Sequence, residues 1–171
     1  GVALSFLLQI LRMSNRVEVR EFELVEGGLP IERPAPRALG PGELRVLRVR
    51  GSLFFASAQV LEPQLPDVAA ARGTTLILVL RDVDDLGSTV IRLLTRYAAA
   101  LRRAGGTLML AGVSEELHGQ LQRTGLVDAV GAANVFLEQP DLGAALNEPI
   151  AAARARSGEH VPGMPTARDG A

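Results

Sequence analysis

The sequence TTLILVLRDVDDLGSTVIRLL, at residues 74–94, decides the fold predicted for this chain. Residues 74–80 form a continuous run rich in Leu, Ile and Val, which is typical of a central strand covered on both faces. A helix is predicted next, because Val90, Leu94 and Leu101 recur at helical spacing and a glycine pair ends the pattern. The stretch therefore predicts one strand–loop–helix unit of an α/β fold.

The rest of the chain repeats this alternation. Apolar patterns predict further strands at residues 17–25, 44–49, 107–111 and 134–137, and further helices from Ser114 to near Gly125 and from Asp141 to about Arg154. Leu53 and Phe54 are expected in the core, where a strand leads into a short helical piece. Residues 27–42 contain four prolines, so we expect a connector without regular structure there. Alternating strands and helices favour parallel pairs joined by right-handed crossovers.

Composition excludes several function classes. The 18 basic residues, all arginine, are balanced by 19 acidic ones, and aromatic residues make up 4%, so nucleic-acid binding is not expected. The chain has no cysteine, and its two histidines, His118 and His160, have no metal-ligand spacing, so no metal, cofactor or catalytic residue is predicted. Asp82, Asp84 and Asp85 could bind a cation or act as acid and base, but a solvated loop before a helix is the favoured interpretation.

The first residues resemble the end of a membrane helix. Residues 1–11 are apolar apart from Ser5 and Gln9, and Arg12, Arg16 and Arg20 follow, as the positive-inside rule predicts for a cytoplasmic end. The run alone is too short to cross a bilayer, which requires about 20 residues. We therefore expect residues 1–12 to end the last membrane helix of a longer protein. The alternative is an amphipathic terminal helix packed on the domain.

Three stretches resemble the STAS domain, which is shared by anti-sigma-factor antagonists and by the cytoplasmic ends of SulP (sulfate permease) anion transporters. They are GSLFFA at residues 51–56, LILVLRDVDDLGSTVIRLL at 76–94 and GGTLMLAGV at 105–113. The resemblance implies an α/β STAS-like fold, with a small mixed sheet and helices packed on one side. It implies a STAS domain at residues 13–155, with the Pro-rich connector at 27–42, followed by a disordered tail at 156–171.

The resemblance also implies a function. A SulP domain of this kind is a non-catalytic regulatory and interaction module of a sulfate or other inorganic anion transporter. The implied location is the cytoplasmic side of the cell membrane, and the implied partner is the transporter's membrane domain in cis, with a homodimer formed through the transporter. The alternative is a free-standing STAS antagonist of an anti-sigma factor that acts by partner exchange. A small α/β enzyme is a third class, for which the sequence offers no convergent polar cluster.

The loop before the long helix differs from that of the antagonists. Their signature Asp-Ser-Ser-Gly, with a phosphorylated second Ser, corresponds here to Gly87, Ser88, Thr89 and Val90. The Asp and the Gly are missing, which favours the transporter. Thr89 keeps a hydroxyl at the phospho-acceptor position, where helix-terminal amides would favour a phosphate. Ser88 or Thr89 acting as a plain helix cap is the favoured interpretation.

The predicted long helix also carries an arginine stripe, formed by Arg92, Arg96 and Arg103. Helical spacing places the three side chains on one face. A domain tethered beneath a membrane could present them to anionic lipid or to an acidic protein partner. A solvated face without a ligand is the alternative.

Overall fold

The predicted central strand lies in the middle of a six-stranded sheet. A computed structural model describes residues 2–5, 17–23, 31–53, 58–140 and 142–157 of the 171-residue chain. The strands are β1 (Glu18–Glu23), β2 (Ile31–Pro34), β3 (Leu44–Arg50), β4 (Thr75–Val79), β5 (Thr107–Val113) and β6 (Val135–Leu137). The helices are α1 (Ala58–Leu61), α2 (Ser88–Arg103), α3 (Glu115–Arg123), α4 (Leu126–Val130) and α5 (Leu142–Ser157). Short 3-10 turns lie at Glu62–Gln64 and Ala132–Asn134, and residues 2–5 are helical.

The sheet is mixed, with the order β2-β1-β3-β4-β5-β6. Strands β3, β4, β5 and β6 are parallel, and β1 pairs antiparallel with both β2 and β3. All five residues of β4 are buried, as a strand covered on both faces requires. The strand predicted at residues 74–80, the helix after it and the α/β class are confirmed.

The core lies on both faces of the sheet because the side chains of β4 alternate. Leu76 and Leu78 face the layer that contains α2, α3 and α4. Ile77 belongs to a second buried cluster, where Leu146 and Ala153 of α5 pack on the sheet. The STAS-like mixed sheet is confirmed, but the expectation of helices on one side is incomplete: α5 covers the opposite face, which is apolar and would otherwise be open to water.

The proline-rich connector contains a strand. The expectation that residues 27–42 lack regular structure is wrong for β2, which pairs with β1 through the registers Glu21↔Arg33 and Phe22↔Glu32. Because β2 is the edge strand of the sheet, Pro34 at its end is tolerated there. Residues 27–30, like Phe54, lie outside the described part of the chain.

One glutamine holds the chain where it enters the sheet. The backbone N–H of Val19 donates to Gln64 Oε1 at 3.0 Å, and Gln64 Nε2 donates to the carbonyl oxygen of Val17 at 3.0 Å. The same Nε2 donates to the carbonyl of Val60 at 2.8 Å. The Gln64 amide therefore acts on β1 as a further strand would, and it fixes the position of the first residues of the domain.

The segment that carries Gln64 is attached to α2 in turn. The Tyr97 hydroxyl donates to the carbonyl oxygen of Pro66 at 2.8 Å, and burial, assisted by the nearby Asp67, raises the pKa of Tyr97. One turn away along the segment, Arg96 Nη2 lies 3.3 Å from the Glu62 carboxylate. The entry of the chain, the 3-10 turn and the long helix therefore form one connected unit.

A second polar cluster lies at the start of β3. The Glu43 carboxylate accepts from the backbone N–H of Gly40 at 3.0 Å and from the Arg45 guanidinium at 3.0 and 3.1 Å. Arg45 also reaches Glu21 at 2.7 Å. The hydrogen bond from Arg45 lowers the pKa of Glu43, and the hydrogen bonds that Arg45 donates to the Glu43 and Glu21 carboxylates raise the pKa of Arg45. Charged side chains of β1 and of the start of β3 are therefore paired with one another at this end of the sheet.

The predicted termini fall largely outside the described residues. None of the helices that the structure describes has both the length and the apolar character needed to span a bilayer. Residues 6–16 and 158–171 are not described, so the membrane-helix end and the disordered tail stay predictions. Helix α5 continues to Ser157, beyond the end predicted near Arg154, and two residues assigned to the tail are therefore helical.

Candidate functional site

The loop between β4 and α2 lies at the carboxyl end of the central strand. Asp82 adopts a left-handed backbone conformation with φ of 66°, which is uncommon for a residue other than glycine. Its carboxylate lies 2.9 Å from Arg48 Nη2, and the Arg48 guanidinium stands 5.8 Å from the centre of the Phe22 ring. Arg48 therefore ties the loop to β3 and, through the ring, to β1.

A second glutamine holds the other end of this loop. The backbone N–H of Leu86 donates to Gln120 Oε1, and Gln120 Nε2 donates to the Leu86 carbonyl, both at 3.0 Å. The same Nε2 also donates to the Asp85 carboxylate. Gln120 lies on α3, 34 residues from Leu86. Nothing in its local sequence pattern distinguishes it from the other polar residues of that helix, so the sequence gives no signal for this contact.

A shallow depression of about 360 Å³ opens beside the loop and is lined by residues 51–53 and 82–85. Two of its three carboxylates have protein partners, since Asp82 pairs with Arg48 and Asp85 accepts from Gln120. Asp84 is exposed. Within the described ranges, no group of three or more acidic or histidine side chains is arranged to hold a metal ion. All three aspartates are exposed, as the interpretation of a solvated loop expects, and the pairing of two of them with protein groups was not predicted.

The first turn of α2 differs from the prediction. The N-cap residue is Gly87, and at this position no side-chain capping hydrogen bond is present among the described residues. Gly87 donates its N–H to the carbonyl of Leu53 at 3.2 Å, and its own carbonyl accepts from Val90 at 2.9 Å. Helical hydrogen bonding therefore starts one residue early, and the prediction that Ser88 or Thr89 caps the helix is wrong.

Both hydroxyls instead lie exposed in the first turn of α2. Phosphorylation of Thr89 stays a prediction. An intact-mass measurement of natively purified protein tests it: an added phosphate supports it, and its absence contradicts it.

The arginine stripe is on the surface. Arg92, Arg96 and Arg103 are all exposed on α2, while Val90, Leu94 and Leu101 of the same helix are buried. Arg96 is engaged with Glu62. The three arginines lie on the exposed face of α2, as their spacing predicts. Binding of anionic lipid or of an acidic partner by this face stays a prediction. His118 is half-buried on α3, whereas His160 lies outside the described residues.

These features define a class of protein: an α/β domain in which a polar loop, held by Arg48 and Gln120, precedes the long helix. Residues 35–141 match the family model of the STAS domain, and the chain belongs to that family. The resemblance seen in residues 51–56, 76–94 and 105–113 is thereby confirmed.

The similar proteins carry the names of sulfate or anion transporters. The chain is 26% identical over 136 residues to the putative sulfate transporter YvdB of Bacillus subtilis (strain 168), with 80% of this chain and 24% of that protein covered. It is similar to the crystal structure of a sulfate transporter family protein from Wolinella succinogenes, with a TM-score of 0.56 and 25% identity, covering 68% of this chain and 88% of that one.

A third match shows the fold alone. The murine Solute Carrier 26 family member A9 (Slc26a9) anion transporter, in the inward-facing state, has a TM-score of 0.64 at 15% identity, and the match covers 91% of this chain and 25% of that one. The chain thus spans about a quarter of the length of YvdB and of Slc26a9. The relatives confirm the recognition of a STAS domain of the SulP type.

Proposed function

We propose that this chain is the regulatory and interaction domain of a secondary transporter for sulfate or another inorganic anion. The observation that carries the proposal is the match to YvdB, which extends over 80% of this chain while covering 24% of the transporter. Transport would take place in a membrane domain that precedes the chain in the same polypeptide. The domain itself would lie on the cytoplasmic side, catalyse no reaction, and act through contacts with the membrane domain and in a transporter homodimer.

The geometry of the loop supports a role in recognition. Two side chains, Arg48 and Gln120, contact the loop before α2 at its two ends, and they engage two of its carboxylates. A loop held in this way presents a constant shape, which suits docking to another protein surface. The antagonist alternative depends on a phosphorylated loop, whose Asp and Gly this chain lacks.

Transport measurements test the proposal. The complete gene product would be expressed in cells that lack sulfate uptake, with and without the segment corresponding to this chain. We expect uptake of labelled sulfate or another inorganic anion by the complete protein and altered rates when the domain is removed. A reading frame with no membrane segments before this domain, together with binding to an anti-sigma factor, would establish the alternative.

We also propose that the arginine stripe contacts anionic lipid or an acidic protein surface. Replacing Arg92, Arg96 and Arg103 together by Gln should leave the fold intact, because all three side chains are exposed. Binding to anionic vesicles or to the membrane domain should weaken, by about 1 kcal/mol for each arginine near an anionic surface. Unchanged binding to both would leave the stripe as a solvated face.

A further inference from the structure

A groove lies beside the point where the chain enters the domain. It has a volume of about 470 Å³ and is formed by the start of β1, by residues 34–37 and by residues 63–65. This volume is within the range of roughly 300–1,000 Å³ that is typical of small-ligand sites. Pro34, Pro36 and Pro63 form part of its wall. Proline has a fixed φ and no backbone N–H, so this part of the wall is preformed and offers few donors of its own.

The side chains that line the groove carry a net positive charge. Arg20 and Arg37 are its two lining arginines, and Glu18 is its one lining carboxylate. Arg20 is already paired with Glu18. Arg37 is exposed, and none of the described residues forms an ion pair with it. The groove therefore combines apolar walls with one guanidinium that is free to meet an external anion.

The position of the groove indicates which anion it meets. Gln64, which lines the groove, holds the carbonyl of Val17, so Val17 lies directly beside the groove. Residues 12–16 are all that separate Val17 from the apolar run at residues 1–11. An extended chain of that length spans at most about 20 Å. Arg12 and Arg16 lie within this link and add positive charge to it.

We propose that this groove faces the bilayer and receives the phosphate of an anionic phospholipid headgroup, with Arg37 as its principal contact. The inference rests on the proposed function, in which residues 1–12 end a membrane helix. In that arrangement, residues 12–16 are short enough to keep the groove close to the headgroup layer. An anionic lipid complements the net positive charge of Arg20, Arg37 and Glu18. The groove is a separate surface from the arginine stripe on α2.

Vesicle binding by the 171-residue chain tests this assignment. The measurement is co-sedimentation with phosphatidylcholine vesicles and with phosphatidylcholine vesicles that contain phosphatidylglycerol, expressed as the ratio of the two affinities. Insertion of the apolar run that is independent of charge contributes equally to both affinities, so it cancels in the ratio. The variant is Arg37→Gln. Its matched control is Arg72→Gln, because Arg72 is also exposed but precedes β4, at the amino end of the parallel strands.

We expect Arg37→Gln to lower the ratio about fivefold, Arg37→Glu to lower it further, and Arg72→Gln to leave it within about twofold of the unsubstituted chain. Added salt should reduce the preference for anionic vesicles, since the interaction is electrostatic. Equal ratios for the Arg37 and Arg72 variants would overturn the proposal, as would an unsubstituted chain with no preference for anionic vesicles. Uptake by the complete protein does not depend on these ratios, so failure of the groove and failure of the transporter role are distinguishable.

Discussion

The hydrogen bonds of Gln64 predict how strongly this residue holds the entry of the chain. Replacing Gln64 by Ala removes the bonds to Val17, Val19 and Val60. At about 1 kcal/mol for each bond the loss is about 3 kcal/mol, and because water reaches this half-buried site we expect a loss of about 2 kcal/mol in the free energy of unfolding. Gln64→Glu should cost more at neutral pH, since a carboxylate oxygen would then face two carbonyl oxygens.

Two measurements test the stability losses expected for the Gln64 variants. Denaturant unfolding gives the free energies, and hydrogen exchange at the Val19 amide reports the local bond to Gln64. The control is Gln122→Ala, because Gln122 is exposed on α3 and its replacement should change stability by less than about 0.5 kcal/mol. Equal stabilities for the two alanine variants, together with unchanged exchange at Val19, would refute the reasoning. A Gln64→Glu variant more stable than Gln64→Ala at neutral pH would refute the electrostatic part.

Two further predictions concern the polar contacts at the ends of the sheet. Gln120→Ala should accelerate hydrogen exchange at the Leu86 amide while the protein stays folded, and unchanged exchange there would show that Gln120 does not hold the loop. The hydrogen bond from Arg45 lowers the pKa of Glu43 below its ordinary value of 4.5. The stability that ionised Glu43 gives to the folded state is therefore present above pH 4.5 and is lost as pH falls through the pKa of Glu43 in the folded protein. The stability difference between the unsubstituted chain and Glu43→Gln should therefore shrink in acid during denaturant titrations at several pH values, and a difference that grows in acid would contradict this sign.

The sequence predicts those parts of the fold that depend on local patterns. Strand β4 and helix α2 were predictable because a run of buried aliphatic residues and an amphipathic helix each show their periodicity in sequence. The end of α2 was predictable because a glycine pair follows it, and Gly105 adopts a φ of 88°. The structure adds a steric reason for glycine at the second position. A side chain at Gly106 would place its Cβ 2.6 Å from Leu101 Cδ1 and 2.8 Å from the carbonyl oxygen of Ala71.

The structural features that could not be predicted from the sequence depend on contacts between segments that are far apart along the chain. All four residues of strand β2 are exposed and one of them is a proline, so the strand forms because β1 provides a pairing partner. Gln64 and Gln120 make their contacts across 45 and 34 residues. The packing of α5 on the second face depends on which sheet residues are left uncovered. The cap at Gly87 was missed because the carbonyl of Leu53, which accepts its N–H, belongs to another segment.

The two glutamines also connect the structure with the proposed role. A side-chain amide that donates to one backbone carbonyl and accepts from a neighbouring N–H reproduces the bonding of a strand at a place where no strand runs. Gln64 does this where the chain enters, and Gln120 does it at the loop before α2. A module that acts by docking must transmit the position of its membrane attachment to its contact surface without local unfolding. Through Glu62, Pro66 and α2, the entry point and the loop belong to one bonded unit. In the proposed transporter, movement of a preceding membrane helix would therefore displace the loop and the arginine stripe together.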